Sequence, residues 1–258
     1  MEVKSTHELH YSTLKVWMLP CLSDNYIFII YNKENGTTIV IDPAEGLLVD
    51  KFLNYHQLNL NEIWITHHHP DHISGIPYLT DKYNCIIRGS TQIPNRIPRV
   101  NISMKEKIFW NLGHFNVSVL EVPGHTLDHL AYWIRDEQSS LLFSGDVLFG
   151  FGCGRLFEGS YEQMISSLKK IIALPVHTQV FCSHEYTMQN LEFSLTQISG
   201  DKKIEERKLK VQNKVYGKKP TVPLDLKEEI ETNLFLRAIQ SENPLEEFRS
   251  LRIKKDEF

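Results

Sequence analysis

A sandwich-like α/β domain followed by a small all-helical region is the fold this sequence predicts, on three observations. Short β-rich runs crowd the first two thirds of the chain. Helical patterns with a single apolar face interrupt them. After about Glu185 the segments become charged and helix-favouring, with few strand candidates.

The elements follow in order. "LKVWML" and "YIFIIY" read as strands, and "NKENG" (32–36) supplies turn chemistry before the strand "TTIVID". Leu48, Val49, Phe52 and Leu53 share one face of a helix over roughly 46–57. "NEIWIT" is a buried strand that runs into "HHHPDH", where the chain turns into a helix beginning near Ile73. "FNVSVLEV", with Val117 and Val119 at period two, and "HLAYWI" are further strands. "SLLFSGD" is a strand ending at Asp146, "TQVFCSH" one ending at His184, and "YEQMISSLKKIIAL" between them is an amphipathic helix. Beyond Glu185, "TMQNLEFSLTQIS", "DKKIEERKLKVQNKVYG", "LDLKEEIETNLFLRAI" and "PLEEFRSLRIKKDEF" are helical, and "GKKPTVPLD" is a proline-bearing connector. No repeat or low-complexity segment is present.

The chain has 258 residues, enough to bury a proper core, and a formal net charge of -4. That balance gives no reason to expect nucleic acid or a membrane surface as partner, and no obligatory protein partner is evident. Cys21, Cys85, Cys153 and Cys182 are scattered without a C-x-x-C pair, and read as free thiols in a reducing compartment. The polar N-terminus lacks the apolar core of a signal peptide, and no later apolar run approaches membrane-spanning length. These features place the protein in the cytoplasm.

Four of the twelve histidines lie within "HHHPDH". His67 and His69 are two apart, so in an extended loop both point the same way, and Asp71 and His72 follow at the turn. Imidazole and carboxylate are ligands for zinc and similar borderline metals. Three other strand ends carry such residues: His125 in "VPGHTLDH", Asp146 in "FSGDVLFG" and His184 in "FCSHEY". Seven candidates (His67, His69, Asp71, His72, His125, Asp146 and His184) exceed one tetrahedral ion and suit two, with a carboxylate shared between them. His7 and His10 are placed in a polar tail, His56, His114 and His177 near element ends or turns. His68 is expected to point away from its neighbours, and His129 to play a supporting part.

The order T-H-x-H-x-D-H, G-H-T, S-G-D, S-H-E-Y resembles the metallo-β-lactamase superfamily, an αββα sandwich. Asp42 in "IVIDPAEG" matches the aspartate that supports the histidine loop there. "PCLSDNYIFII", "GDVLFGFGCGRLFEG", "SHEYTMQNLEF", "PTVPLDLKEE" and "IKKDEF" narrow the resemblance to the hydroxyacylglutathione hydrolases (glyoxalase II), over all but about the first dozen residues. The resemblance implies a catalytic domain over 1–184, with 1–13 an N-terminal extension, and a helical substrate-binding domain over 185–258. It assigns His67, His69 and His125 to one metal and Asp71, His72 and His184 to a second, with Asp146 bridging. It also implies a glutathione site at Arg155, Phe157, Tyr186, Arg252 and Lys255. Arg155 stands where the family commonly has lysine, Phe157 where tyrosine is usual and Leu234 where proline is common.

The implied reaction is hydrolysis of S-lactoylglutathione to glutathione and lactate, the final step of methylglyoxal detoxification. Two divalent cations, zinc in the first place with iron or manganese also suited, would hold a bridging hydroxide that Asp71 and Asp146 orient. The thiolate leaves without a strong protein acid, since a thiol's pKa is about 8.5. No Ser-His-Asp or Cys-His nucleophile motif competes with this reading. Arg249, Arg252 and Lys255 recur every three residues along one helix face and suit the carboxylates of glutathione, Arg249 being the weaker candidate. The alternatives are another hydrolase of the superfamily (a β-lactamase or an RNA-processing phosphodiesterase), an iron-dependent sulfur oxygenase, and a metal-dependent binding module. The absent export signal, the lack of a basic surface and the full second-metal set argue against them.

Overall fold

The computed structural model describes residues 6–258, so residues 1–5 of the expected extension lie outside the described residues. Two units are distinguished, one running to Leu120 and including Ile134–Ser139, the other made of Glu121–Trp133 and Ser140–Phe258.

The first unit begins with an antiparallel meander of β1 (His7–Tyr11), β2 (Leu14–Cys21), β3 (Asn25–Asn32) and β4 (Thr37–Ile41). Helix α1 (Gly46–Tyr55) then carries the chain to β5 (Glu62–Trp64). The short α2 (Pro70–Ile73) and α3 (Ile76–Lys82) lead to β6 (Ile86–Gly89), and a longer connection leads to β7 (Ile102–Ser103). From β4 onward the pairing is parallel, which is why helices and long loops replace the tight turns of the meander. The seven strands lie in sequence order. Residues two apart face the same side, so Trp17 and Leu19, Ile27 and Ile29, and Ile63 and Ile65 meet Val49, Phe52 and Leu53 of α1 in one core. A hairpin of β8 (Phe109–Leu112) and β9 (Phe115–Glu121) follows.

Two expectations are corrected here. His7 and His10 belong to no loose tail: β1 pairs with β2, and Glu8 accepts a 2.6 Å bond from Trp17 Nε1. The helical turn after the histidines begins at Pro70, three residues before Ile73, because proline at the first helical position pre-sets φ and gives up no needed N–H.

In the second unit, β10 (Leu130–Arg135) is followed by β11 (Ser140–Gly145) and a small hairpin, β12 (Leu148–Phe149) with β13 (Gly152–Cys153). Helix α4 (Tyr161–Ile172) starts at a capping box between Ser160 and Gln163 and leads to β14 (Gln179–Cys182). Strands β11 and β14 are parallel neighbours, Gly145 opposite Cys182, so the residues that follow each strand emerge at the same end.

Helices α5 (Thr187–Gln197) and α6 (Lys202–Tyr216) come next. A two-residue β15 (Leu224–Asp225) pairs with β14, and α7 (Leu226–Thr232), α8 (Leu234–Ala238) and α9 (Pro244–Glu257) complete the chain. The helix-favouring segment "LDLKEEIETNLFLRAI" forms two helices that meet at Asn233, whose side chain accepts from Phe235 N and caps α8. Residues 185–258 lie in the same unit as 140–184, so the division at 184/185 expected from the sequence does not coincide with these units. Phe151 packs with Leu191, Ile204, Val211 and Leu234 of the helices.

In the first unit the β4–α1 loop is stitched to the histidine loop by Gly75 N donating to Pro43 O at 2.8 Å. A Cβ on Gly75 would collide with Pro43 O and stand 2.7 Å from Gly46 N. Gly75→Ala is therefore expected to cost about 1–3 kcal/mol, as overpacking does, read from urea denaturation. A wild-type midpoint would show that the two loops separate freely.

Candidate metal centre

The first unit presents its candidates just after β5. Nε2 of His67 and Nδ1 of His69 lie 3.1 Å apart. Two nitrogens each ~2.05 Å from a tetrahedral ion stand roughly 3.3 Å apart, so this spacing fits a shared metal. The far side of His67 is held: its Nδ1 lies 3.0 Å from Thr66 Oγ1, which itself donates to Asp42 Oδ2 at 2.7 Å. Thr66 N also donates to Asp42 Oδ1 at 2.8 Å, and Nδ1 of His72 donates to Asp42 Oδ2 at 3.0 Å. That bond turns Nε2 of His72 toward Asp71, 3.6 Å from Oδ2. Asp42 thus orients the histidine loop, as expected, and it does so from a left-handed backbone with φ of 51°.

Asp71 is steadied by Asn25, whose amide donates to Oδ2 at 2.9 Å. Asn25 was not among the expected residues. Its one sequence signal is a polar side chain opening an apolar strand, and it is buried. His68 is turned toward Arg96, whose guanidinium lies 3.4 Å from Nε2, and its ring stands 5.1 Å from that of His69.

The second unit places His125, Asp146 and His184 together. Nε2 of His125 and Nε2 of His184 lie 3.5 Å and 3.3 Å from the same oxygen, Asp146 Oδ2. All three residues are buried. Nδ1 of His125 donates to the carbonyl of Arg155 at 2.7 Å, which fixes the proton there and leaves Nε2 as the lone-pair nitrogen. His129 takes the supporting part expected of it, accepting from Asp146 N at Nε2, 3.1 Å away. The parallel pairing of β11 and β14 is what brings Asp146 and His184 side by side. A histidine–aspartate set with ligand-to-ligand spacings of this size fits a divalent ion.

The expected substrate residues gather on the same unit. Tyr186 stacks on His184, with rings 4.8 Å apart and 7° from parallel. Phe157 is 61% exposed and sets its ring edge-on to His125 at 5.2 Å. Arg155 Nε donates to Asp256 Oδ1 at 3.0 Å, and Arg252 reaches the same oxygen at 2.9 Å through Nη2. Arg252, however, is only 4% exposed: it is turned inward, with Nη1 donating to Cys153 O at 3.0 Å. Lys255 is half-buried between the rings of Phe193 and Phe258, 5.3 and 4.8 Å from their centroids. Burial, together with nearby Arg252, pulls its pKa down to about 8. Arg249 packs over Tyr161. Asp256, the carboxylate that joins Arg155 to Arg252, was missed because nothing in "IKKDEF" pairs it with a residue a hundred positions away.

Comparison with known proteins adds the following. The family profile described as "Metallo-beta-lactamase superfamily" matches residues 20–94 and 109–184, and "Hydroxyacylglutathione hydrolase C-terminus" matches residues 185–258. A hydroxyacylglutathione hydrolase of Pelagibacter ubique is 38% identical over 245 residues, covering 95% of this chain and 100% of that protein. One from Rhodospirillum rubrum is 39% identical over 257 residues, covering 96% and 100%. The crystal structure of ETHE1 from Myxococcus xanthus superposes with a TM-score of 0.66 at 22% identity, over 96% of this chain and 90% of that one. The fold is therefore the metallo-β-lactamase fold, with mixed α/β sheets followed by a C-terminal helical region.

Removing the carboxylate that orients His72 and Thr66 tests the first half of the site. Asp42→Ala is expected to weaken zinc binding ~10- to 100-fold, measured by competition with a chromophoric chelator. Wild-type affinity would exclude Asp42 from organising the loop.

Proposed function

The chain belongs to the hydroxyacylglutathione hydrolase family of the metallo-β-lactamase superfamily, and from that membership we propose that it hydrolyses S-lactoylglutathione and related 2-hydroxyacyl-glutathiones, yielding glutathione and the 2-hydroxy acid. For the lactoyl substrate this is the closing step of methylglyoxal detoxification. The protein is a metal-dependent hydrolase, and its histidine–aspartate clusters bind divalent metal ions. The observation that supports the reading is Asp146 Oδ2 standing 3.5 and 3.3 Å from two imidazole nitrogens, spacings that suit co-ligands of a divalent ion.

Our assignment follows the family position by position. His67, His69 and His125 would hold one ion, Asp71, His72 and His184 a second, with Asp146 shared, and zinc is the ion we propose. Ions held there would supply a water of lowered pKa and polarisation of the acyl carbonyl. Asp71, whose Oδ2 accepts from Asn25, and Asp146 would orient the attacking water, which loses a proton as its oxygen bonds to the carbonyl carbon. The C–S bond then breaks, and the thiolate departs without a protein acid, since a thiol ionises near ~8.5.

Residues 185–258, with Arg155 and Phe157, form the proposed substrate-binding region. Lys255, Arg155 and Tyr186 would meet the peptide, and Arg252 would act through Asp256, on which it and Arg155 converge. Phe157 offers an apolar edge and no hydroxyl. Among the described residues no helix is long and apolar enough to cross a membrane. We place the enzyme in the cytoplasm, with a small thioester as its partner and neither nucleic acid nor lipid.

Purified protein is expected to carry two divalent ions per chain and to release free thiol from S-lactoylglutathione. Fewer than two ions with no thiol release would refute the assignment. Lys255 carries its charge below about 8 and sheds it above. KM for the glutathione thioester should therefore rise as pH passes through 8, and Lys255→Ala should raise KM at pH 7 while sparing kcat. Lys255→Arg should keep KM flat across that pH range; a wild-type pH profile in the arginine variant would remove Lys255 from the binding site.

A further inference from the structure

Between Asp146 and Arg155 the chain makes the β12–β13 hairpin, and the helices that follow residue 185 grip its backbone at successive positions. Asn233 Nδ2, at the start of α8, donates to Phe149 O at 3.2 Å and to Gly152 O at 3.0 Å. Asn190 Nδ2, from α5, donates to Gly150 O at 3.0 Å. Glu229 Oε2, from α7, accepts from Phe151 N at 3.0 Å and from Asn233 Nδ2 at 3.1 Å. The other oxygen of Glu229 pairs with Arg207, whose guanidinium lies 3.8 Å from the Phe151 ring centroid. Glu229 and Asn233 are wholly buried.

The hairpin is buried throughout, so its backbone groups need partners, and side chains from α5, α7 and the start of α8 supply them. Phe151 occupies the left-handed region, with φ of 58°, a conformation costly for a bulky residue that persists only where the surroundings over-determine it. The base of the hairpin is tight as well. Gly154 N donates to Val147 O at 3.0 Å, and a Cβ on Gly154 would run into the carbonyl oxygen of Asp146 and stand 3.3 Å from Nδ1 of His125. One residue on, the carbonyl of Arg155 receives the His125 proton at 2.7 Å. The hairpin base thus touches both Asp146 and His125.

We propose that Asn233, supported by Glu229 and Asn190, is a positioning residue of the metal site, fixing Asp146 and His125 through the β12–β13 hairpin. The helical region then organises metal binding in addition to any part it takes in holding substrate. This rests on the reading that Asp146 and His125 hold a metal.

The test uses the full chain stripped of metal and reloaded with Zn2+ or Co2+. Asn233→Asp keeps the size of the side chain but removes the donor to both carbonyls. It is expected to weaken metal affinity ~10-fold or more by chelator competition, and to alter the visible absorption of the Co2+ form. Val211→Ala, which opens the same helical core away from the hairpin, should lower Tm while leaving affinity and spectrum as in the wild type. Wild-type affinity and spectrum in folded Asn233→Asp would overturn the proposal, as would an equal loss of affinity in Val211→Ala. Should Asn233→Asp fail to fold, Asn190→Asp, which loses only the Gly150 bond, should show the same changes to a smaller degree, and their absence would overturn it. A wild-type chain that binds no divalent ion would instead refute the metal reading on which the proposal rests.

Discussion

Three imidazoles of the candidate site are held at their far nitrogen by a protein partner, which aims the opposite nitrogen as a candidate metal ligand. Asp42 does this for His72 directly and for His67 through Thr66, and the Arg155 carbonyl does it for His125. A neutral imidazole has one protonated and one lone-pair nitrogen, so pinning the proton on one side presents the lone pair on the other. Ring orientation and tautomer are settled by the same bond. The left-handed φ of Asp42 is the backbone cost of aiming one carboxylate at Thr66 and His72 together.

Much of this was legible in the sequence because the candidate ligand residues fall where strands stop. "SLLFSGD" and "TQVFCSH" are apolar runs that end in a ligand-type residue, and "NEIWIT" is followed directly by one, His67; an apolar run ends where the backbone leaves the core. Their grouping could not be read from the runs themselves. Asp146 and His184 meet because β11 and β14 are parallel neighbours, a pairing between segments 38 positions apart in register. Asp42 was recognised by its place in a known motif; its mechanical role is visible only from the bonds to Thr66 and His72. The misplaced helix start has a local cause, Pro70, and Asn233 divides the later segment into two helices by capping the second.

The residues that escaped notice are those whose partners, backbone or side chain, are distant in sequence. Asn25, Asn190 and Asn233 are amides buried for the sake of one or two carbonyls or a carboxylate, and an amide in a sequence looks the same whether it faces water or the core. Arg252 shows the converse. Its spacing with Arg249 and Lys255 marked a charged helix face, yet the guanidinium turns inward to Cys153 O and Asp256. Helical periodicity shows that residues share a face without showing whether that face is wet.

Charge arithmetic at the tail connects these contacts to the proposed substrate. Arg155, Arg252 and Lys255 set three cations against the carboxylates of Asp256, which both guanidiniums already share, and Glu192, which faces Lys255. Lys255 differs from the arginines in being able to shed its proton in the working range, because it sits among aromatic rings and beside another cation. A guanidinium keeps its charge in the same setting. The arginines therefore supply a fixed framework, while the lysine supplies a charge whose desolvation cost an incoming carboxylate can offset. Above about pH 8, where the lysine has shed its proton, an anion binding at this position would restore it, coupling binding to protonation. Glutathione, with two carboxylates, is a ligand of the right sign for such a site, and the chemistry of the acyl group is left to the metal-binding residues.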